Sequence, residues 1–203
     1  MEPIAGAELP GYRQIEADAW TNDHGDLVSL HWFDVPPDVP APLEDLPRLR
    51  HALAHYTAGA GGGLIEADVV HLGTVPTLRQ VIKVPLPDRP TGQAFLGSYT
   101  LPRASCSAVV KVQALEQGTT GAREAQVLIE LGPERYFMPH PYAADLRQGL
   151  PFHWGDAPHY DAHFPEHPLT RVRDALAQLA VSLRVAPEFA ALPPFAGPSV
   201  TTP

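Results

Sequence analysis

Histidine is the side chain that titrates nearest neutral pH and the commonest metal ligand. In this 203-residue chain it concentrates in one stretch, HWGDAPHYDAHFPEHP, residues 153–168. His159, His163 and His167 recur every four residues, with His153, Asp156 and Asp161 close by. On an unbroken helix the three histidines would share a face and could hold a divalent ion such as zinc. Pro165 works against that geometry, because it removes a backbone donor and its ring collides with the preceding turn. What survives is a site built on shorter turns from His153, His159, His163 and Asp161, with Asp156 or His140 in support. It would make the protein a metal-dependent enzyme or a small-ligand binder. The competing interpretation treats these residues as loop polar groups and helix caps, with His167 standing just before the Pro168 that opens a helix. Since neither HExxH nor another known ligand motif occurs, the second interpretation leads, with no cofactor and no catalytic residue assigned.

Other reactive types fare no better. Cys106 is the one cysteine, begins a strand and carries no local signature of a nucleophile. Ser98 lies mid-strand without the flanking glycines of a nucleophile elbow. The GAGGG run at 59–63 follows a helix and precedes a strand, the reverse of a phosphate-binding loop, and lacks the GKS or GKT ending. Glu44/Asp45 and Glu66/Asp68 read as a helix-dipole complement and solvent-facing strand residues. Lys83 and Lys111 read as part of a solvated sheet face.

The elements that must position these residues are an antiparallel sheet and its covering helices. Residues 12–20 and 27–33 form a hairpin, with Val28, Leu30 and Trp32 on one side and Ser29, His31 and Phe33 on the other. Leu46, Leu49, Leu53 and Tyr56 mark a helix over 43–58, capped at Asp45 or Leu46 with Pro47 in its first turn. From Leu64 to Ala114 four alternating strands follow in succession, joined by turns too short for anything but antiparallel neighbours. Glu66, Asp68, Arg79, Lys83 and Lys111 suggest that one face of this meander is wetter than the other. A helix over 120–131 would use Ala125, Leu128 and Ile129 as its apolar stripe. Residues 132–166 are irregular, rich in proline, histidine and aromatic side chains, and wrap the body through residues such as Tyr142, Phe152, Trp154 and Tyr160. The last helix starts at Pro168, carries Leu169, Val172, Leu176, Leu179 and Leu183 at three-four spacing, and stops at Pro187. Residues 187–203 form an extended proline-rich tail in which Phe189 and Phe195 can dock and the last residues fray.

The fold class is therefore α+β: a hairpin plus a four-strand meander covered by helices, sandwich-like in the order α/β/α. A single domain spans 1–186. Net charge of −9 with only two lysines excludes a nucleic-acid surface, which needs cations against phosphate. No window approaches the roughly 18 apolar residues of a membrane span, and MEPIAGAELPGYR is not a signal peptide. With one cysteine and no disulfide framework, a cytoplasmic protein is expected.

This order of elements resembles the PsbP-like superfamily over about residues 12–131. The resemblance is carried by LVSLHWF, by the helix over 43–58, by the strand–Gly–strand unit VVHLGTVPTLRQVIKV and by the hairpin GQAFLGSYTLPRASCSAVVKVQA. It implies an antiparallel sheet covered by helices and, as in that family's small bacterial members, noncatalytic binding of another protein as an accessory factor or chaperone. A protein partner or self-association is thus expected, through the less covered sheet face and the aromatics Trp32, Tyr142, Phe152, Trp154 and Tyr160.

Overall fold

The computed structural model describes residues 2–198; Met1 and residues 199–203, where fraying is expected, lie outside the described residues. In chain order the strands are β1 (Ile4–Gly6), β2 (Arg13–Glu16), β3 (Ala19–Thr21), β4 (Leu27–Phe33), β5 (Gly63–Leu72), β6 (Val75–Pro85), β7 (Gln93–Pro102), β8 (Ser107–Leu115) and β9 (Arg184–Val185). The helices are α1 (Leu46–Gly59), α2 (Ala122–Leu131), α3 (Pro133–Tyr136), α4 (Pro168–Ser182) and α5 (Pro187–Ala190). Seven strands make one antiparallel sheet in the order β2-β3-β4-β8-β7-β6-β5, and β1 pairs with β9 beside it. The α+β class and the four-strand meander are as expected. Residues 12–20 are themselves a tight hairpin, β2–β3, which then pairs with β4.

Each covering helix follows from local sequence. In α1, Asp45 accepts a hydrogen bond from the Arg48 backbone N–H at 3.2 Å, and Pro47 sits where its missing donor costs nothing. Its Leu49 and Leu53 pack on Leu64, Ala67 and Leu78 of β5 and β6. On the opposite face α4 buries Leu169, Val172, Leu176 and Leu179 against Val81, Phe95, Tyr99 and Val112. Each such side chain contributes roughly 1.5–3 kcal/mol relative to exposure. Gly97, in the middle of β7, is what lets α4 come so close: a Cβ there would stand 2.6 Å from Val172 Cγ1 and 2.7 Å from Leu176 Cδ1.

Three expectations change. In α2, Ala125 and Ile129 face solvent, Ile129 at 83% exposure, while Arg123 and Val127 point inward. An arginine at the core-facing position is invisible to a hydrophobic pattern. The second change concerns the charged residues of the meander. Glu66, Asp68, Arg79 and Lys83 lie on the face that α4 covers, opposite Lys111, because their registers pair Glu66 with Val81, Asp68 with Arg79 and Lys83 with Phe95. Finally, Pro187 does not end the long helix; α4 stops at Ser182, β9 intervenes and Pro187 opens α5. Phe189 and Phe195 of this tail are buried. No described helix is long and apolar enough to cross a membrane.

Candidate functional site

After α3 the chain packs residues 142–146 against α1, and residues 153–167 then run across the α4 face as turns and short 3-10 segments (Trp154–Asp156 and Pro158–His163), held down by ion pairs that water barely reaches. Lys83 Nζ donates to Asp156 Oδ2 at 2.7 Å and lies 2.9 Å from His153 Nε2, all three side chains buried. His153 stacks on Tyr136, with ring centroids 4.8 Å apart. Burial drives the Lys83 pKa down, and the Asp156 carboxylate opposes that shift. Burial likewise pushes His153 down to about 4, only partly countered by Asp156, so its ring is neutral near pH 7.

Beside this trio, Arg123 is fully buried and donates to the carbonyls of Gly155 (2.7 Å) and Ala157 (3.0 Å) and to Thr170 Oγ1 (3.0 Å). It also pairs with Asp161 Oδ1 at 2.8 Å. Arg173 joins the same Asp161 to Glu66 of β5 and donates to the Asp156 carbonyl at 2.6 Å. Burial raises the Glu66 pKa, but Arg173 and Arg79 more than offset it, leaving Glu66 below the ordinary carboxylate range. Guanidinium groups suit this work because one planar fork satisfies several acceptors at once.

These contacts decide the fate of the predicted metal residues. His153 and Asp161 are engaged in separate ion-pair sets, while His159 and His163 flank Tyr160, with ring centroids 4.1 and 6.3 Å from it. Among the described residues they do not join in a group of three or more ligand atoms within 4.8 Å of one another. The aromatics named from the sequence are also dispersed. Trp32 meets Phe189 edge-on; Tyr142 lies under Arg50, 4.9 Å from its guanidinium carbon; Phe152 packs against His140; Trp154 meets His159; and Tyr160 is buried with Val127 and Tyr136. They anchor the wrapping segment at several points rather than forming one surface.

The same wrap encloses a cleft of about 610 Å³ between α2, the end of β8 and residues 163–168, a size typical of small-molecule sites. His24, Gln117, Thr119, His163, Phe164 and Arg171 are among its lining residues. Of its lining residues, Glu116 and His167 converge with Glu124, their ligand atoms within 4.8 Å of one another. Glu116 is there because it builds the local backbone. Its Oε2 accepts from the Gln93 N–H at 2.8 Å and its Oε1 from the Gly121 N–H at 2.7 Å, at the start of α2. His167 caps α4, its Nδ1 accepting from the Leu169 N–H at 3.2 Å. A neutral ring that accepts at Nδ1 carries its proton on Nε2. Burial, then Arg123, Arg171 and Arg173, push the His167 pKa down to about 3, so the neutral form is the one present.

His167 Nε2 lies 3.9 Å from Glu116 Oε1 and 3.8 Å from Glu124 Oε1, too far for direct hydrogen bonds. Both His167 Nε2 and Glu124 Oε2 are buried without a protein partner. Burial raises the Glu124 pKa, with Glu116 and Asp156 adding to the effect. The trio does not suit a metal ion. Its Nε2 lone pair is occupied by a proton, and its 3.8–3.9 Å spacings exceed the about 2.9–3.4 Å between neighbouring ligands bound at about 2.0–2.1 Å. Sequence alone gave no reason to connect Glu116, Glu124 and His167, which come from a strand end, a helix and a loop. Comparison with known proteins finds no family model and no curated protein that matches this chain.

Proposed function

We propose that this protein binds a small polar molecule in the cleft between α2 and residues 163–168, without transforming it. The observation that carries this reading is the buried His167 Nε2–H without a protein partner in the lining of the cleft, with the Glu124 carboxyl, whose Oε2 is likewise unpartnered, 3.8 Å away through Oε1. A buried unpaired donor and carboxyl each cost about 1–3 kcal/mol, which a ligand supplying both complements would recover. A carboxamide or urea head does so, its carbonyl oxygen accepting from His167 and its N–H donating to Glu124. Ligand-detected NMR with acetamide, urea, methylammonium and acetate tests this directly. The amide and urea should show saturation transfer that His167→Phe abolishes; binding by acetate alone, or binding indifferent to that substitution, would overturn the proposal.

A second reading, protein binding in an accessory role, is supported by the sheet face away from α4. There α1 packs at the β5/β6 end, while Leu96, Ser98, Thr100, Val109, Lys111 and Gln113 look outward half-exposed. Pro36 and Pro37 wall a hollow at one end and Pro85 and Pro87 another at the opposite end. The occupant that fits is an amphipathic helix of a partner protein, completing the layer that α1 begins, with an acidic residue facing Lys111. The resemblance to the PsbP-like superfamily points the same way. A photocrosslinker at Val109 should capture such a partner, Lys111→Glu should abolish capture, and the opposite charge change in the partner should restore it. Capture unchanged by Lys111→Glu removes this reading.

A further inference from the structure

On the opposite side of the molecule a different trio meets. His51 and His55 stand one turn apart on α1, their rings 4.6 Å apart, and both present Nε2 toward Asp145 in the loop after α3. The separations are 3.1 Å from His51 Nε2 to Asp145 Oδ1 and 3.2 Å from His55 Nε2 to Oδ2. All three ligand atoms lie within 4.8 Å of one another. We propose that His51, His55 and Asp145 form a binding site for a late first-row divalent cation, zinc being the probe of choice.

Four features of the trio support the assignment. Bonds of about 2.0–2.1 Å to nitrogen and carboxylate oxygen place neighbouring ligands about 2.9–3.4 Å apart in tetrahedral or octahedral shells, and both histidine–aspartate separations fall in that range. His55 Nε2 is shielded from solvent yet makes no hydrogen bond, although Asp145 Oδ2 is 3.2 Å away. Its ring nitrogen is thus not aligned with that oxygen as a hydrogen bond requires. An i,i+4 histidine pair on a helix also holds its two nitrogens on one face with little freedom to spread. Two imidazoles and one carboxylate favour zinc, nickel or copper over magnesium or calcium, which take oxygen ligands.

Asp145 is held in place from both sides. Leu146 N–H donates to the Ala143 carbonyl at 3.0 Å, and Ala143 is buried against the α1 core cluster. Arg147 ties the carbonyls of Ala144 and Leu146, and farther along Leu150 N–H reaches the Gly62 carbonyl at 2.9 Å. Part of the ordering cost of binding is therefore already met by folding. A bound ion would clamp the 140–150 loop to α1, and its remaining coordination positions would go to water.

Titrating the metal-free full chain with zinc against a chromophoric chelator provides the test, with Glu-free buffers and a circular-dichroism check of each variant. One equivalent is expected to bind. His51→Ala and His55→Ala should each weaken it at least tenfold, Asp145→Asn by a smaller factor, and His159→Ala not at all. Zinc should raise Tm by several degrees and slow amide exchange at 142–147 in the wild type, and do neither in His55→Ala. Absence of a one-equivalent site, or binding that survives the double change of His51 and His55, overturns the proposal. Weak binding at several sites that tracks total histidine count does the same.

Discussion

Two three-residue clusters in this protein offer much the same atoms, and their surroundings give them opposite chemistry. His51 and Asp145 sit exposed at the surface with His55 half-buried beside them, and the nitrogen–oxygen separations are 3.1–3.2 Å. Glu116 and His167 line a cleft and meet the half-buried Glu124, His167 Nε2 lying 3.8–3.9 Å from the two carboxylates, with Glu116 spent on two backbone N–H groups and His167 on a helix cap. The first can close around an ion that replaces its single His51 Nε2–Asp145 Oδ1 hydrogen bond, since His55 Nε2 has no hydrogen-bond partner. The second is shaped to exchange hydrogen bonds with a molecule, because its imidazole nitrogen carries a proton and one carboxyl is pushed toward its neutral form. Ligand identity alone does not define a site; the tautomer and the competing partners do.

The comparison is most severely tested by removing the charge behind the buried cluster. Arg123→Met leaves the buried Gly155 and Ala157 carbonyls without their donor and Asp161 with Arg173 as its remaining cation, and should cost about 3–5 kcal/mol in urea unfolding. Asp145→Ala in metal-free buffer should leave the urea midpoint essentially unchanged, as for other exposed pairs. Similar losses for the two variants would erase the distinction.

Acid provides the next test. His153 and His167 are held near 4 and 3 in the folded state against an ordinary 6.5. Above pH 6.5 neither state binds these protons and the stability is at its full value. Below it the unfolded chain takes them up while the folded one does not, so stability falls as pH drops toward 4. Each histidine contributes up to about 1.4 kcal/mol per pH unit in that window. Urea midpoints at pH 7, 6 and 5 should fall accordingly, and His153→Gln should flatten the slope; a flat profile for the wild type would contradict the buried neutral state. Glu66 acts lower down: its depressed pKa gives stability present above the carboxylate range and lost as pH falls through the folded value.

The smallest expected effect is at Glu124. Because burial, Glu116 and Asp156 all oppose its charge, Glu124→Gln should leave Tm unchanged or raise it by the equivalent of less than about 1 kcal/mol, read by calorimetry at pH 7. A large loss would mean that the charged form is required, and would favour a cationic occupant of the cleft over an amide.

Much of the scaffold was legible from period alone. The alternation from Leu64 to Ala114 and the three-four spacing of Leu169, Val172, Leu176 and Leu179 each state which side chains share a face, and no distant residue is needed to decide it. The Asp45–Pro47 start of α1 is equally local. The candidate sites were not legible in the same way. Lys83, Arg79 and Glu66 looked solvent-facing because charge normally is, and only the passage of residues 153–161 and α4 over them makes that face dry. Arg123 took the inward position of α2 because carbonyls of a remote turn awaited it. His51 and His55 carried a readable i,i+4 spacing in RHALAH, but their carboxylate comes from 90 residues farther on.

What the sequence determined by itself was therefore the meander and the helices α1 and α4 with the side chains that share their faces, since hydrophobic periodicity and turn chemistry act over a few residues. Tertiary structure decided which polar groups became buried partners and which stayed open, because hydrogen bonds and ion pairs between distant segments depend on distances of a few tenths of an ångström that no local pattern encodes. The histidine-rich stretch shows the division. Its four-residue spacing was visible from the start, yet packing turned His153 into a buried partner of Lys83, left His159 and His163 at the surface, and set His167 in the lining of a cleft.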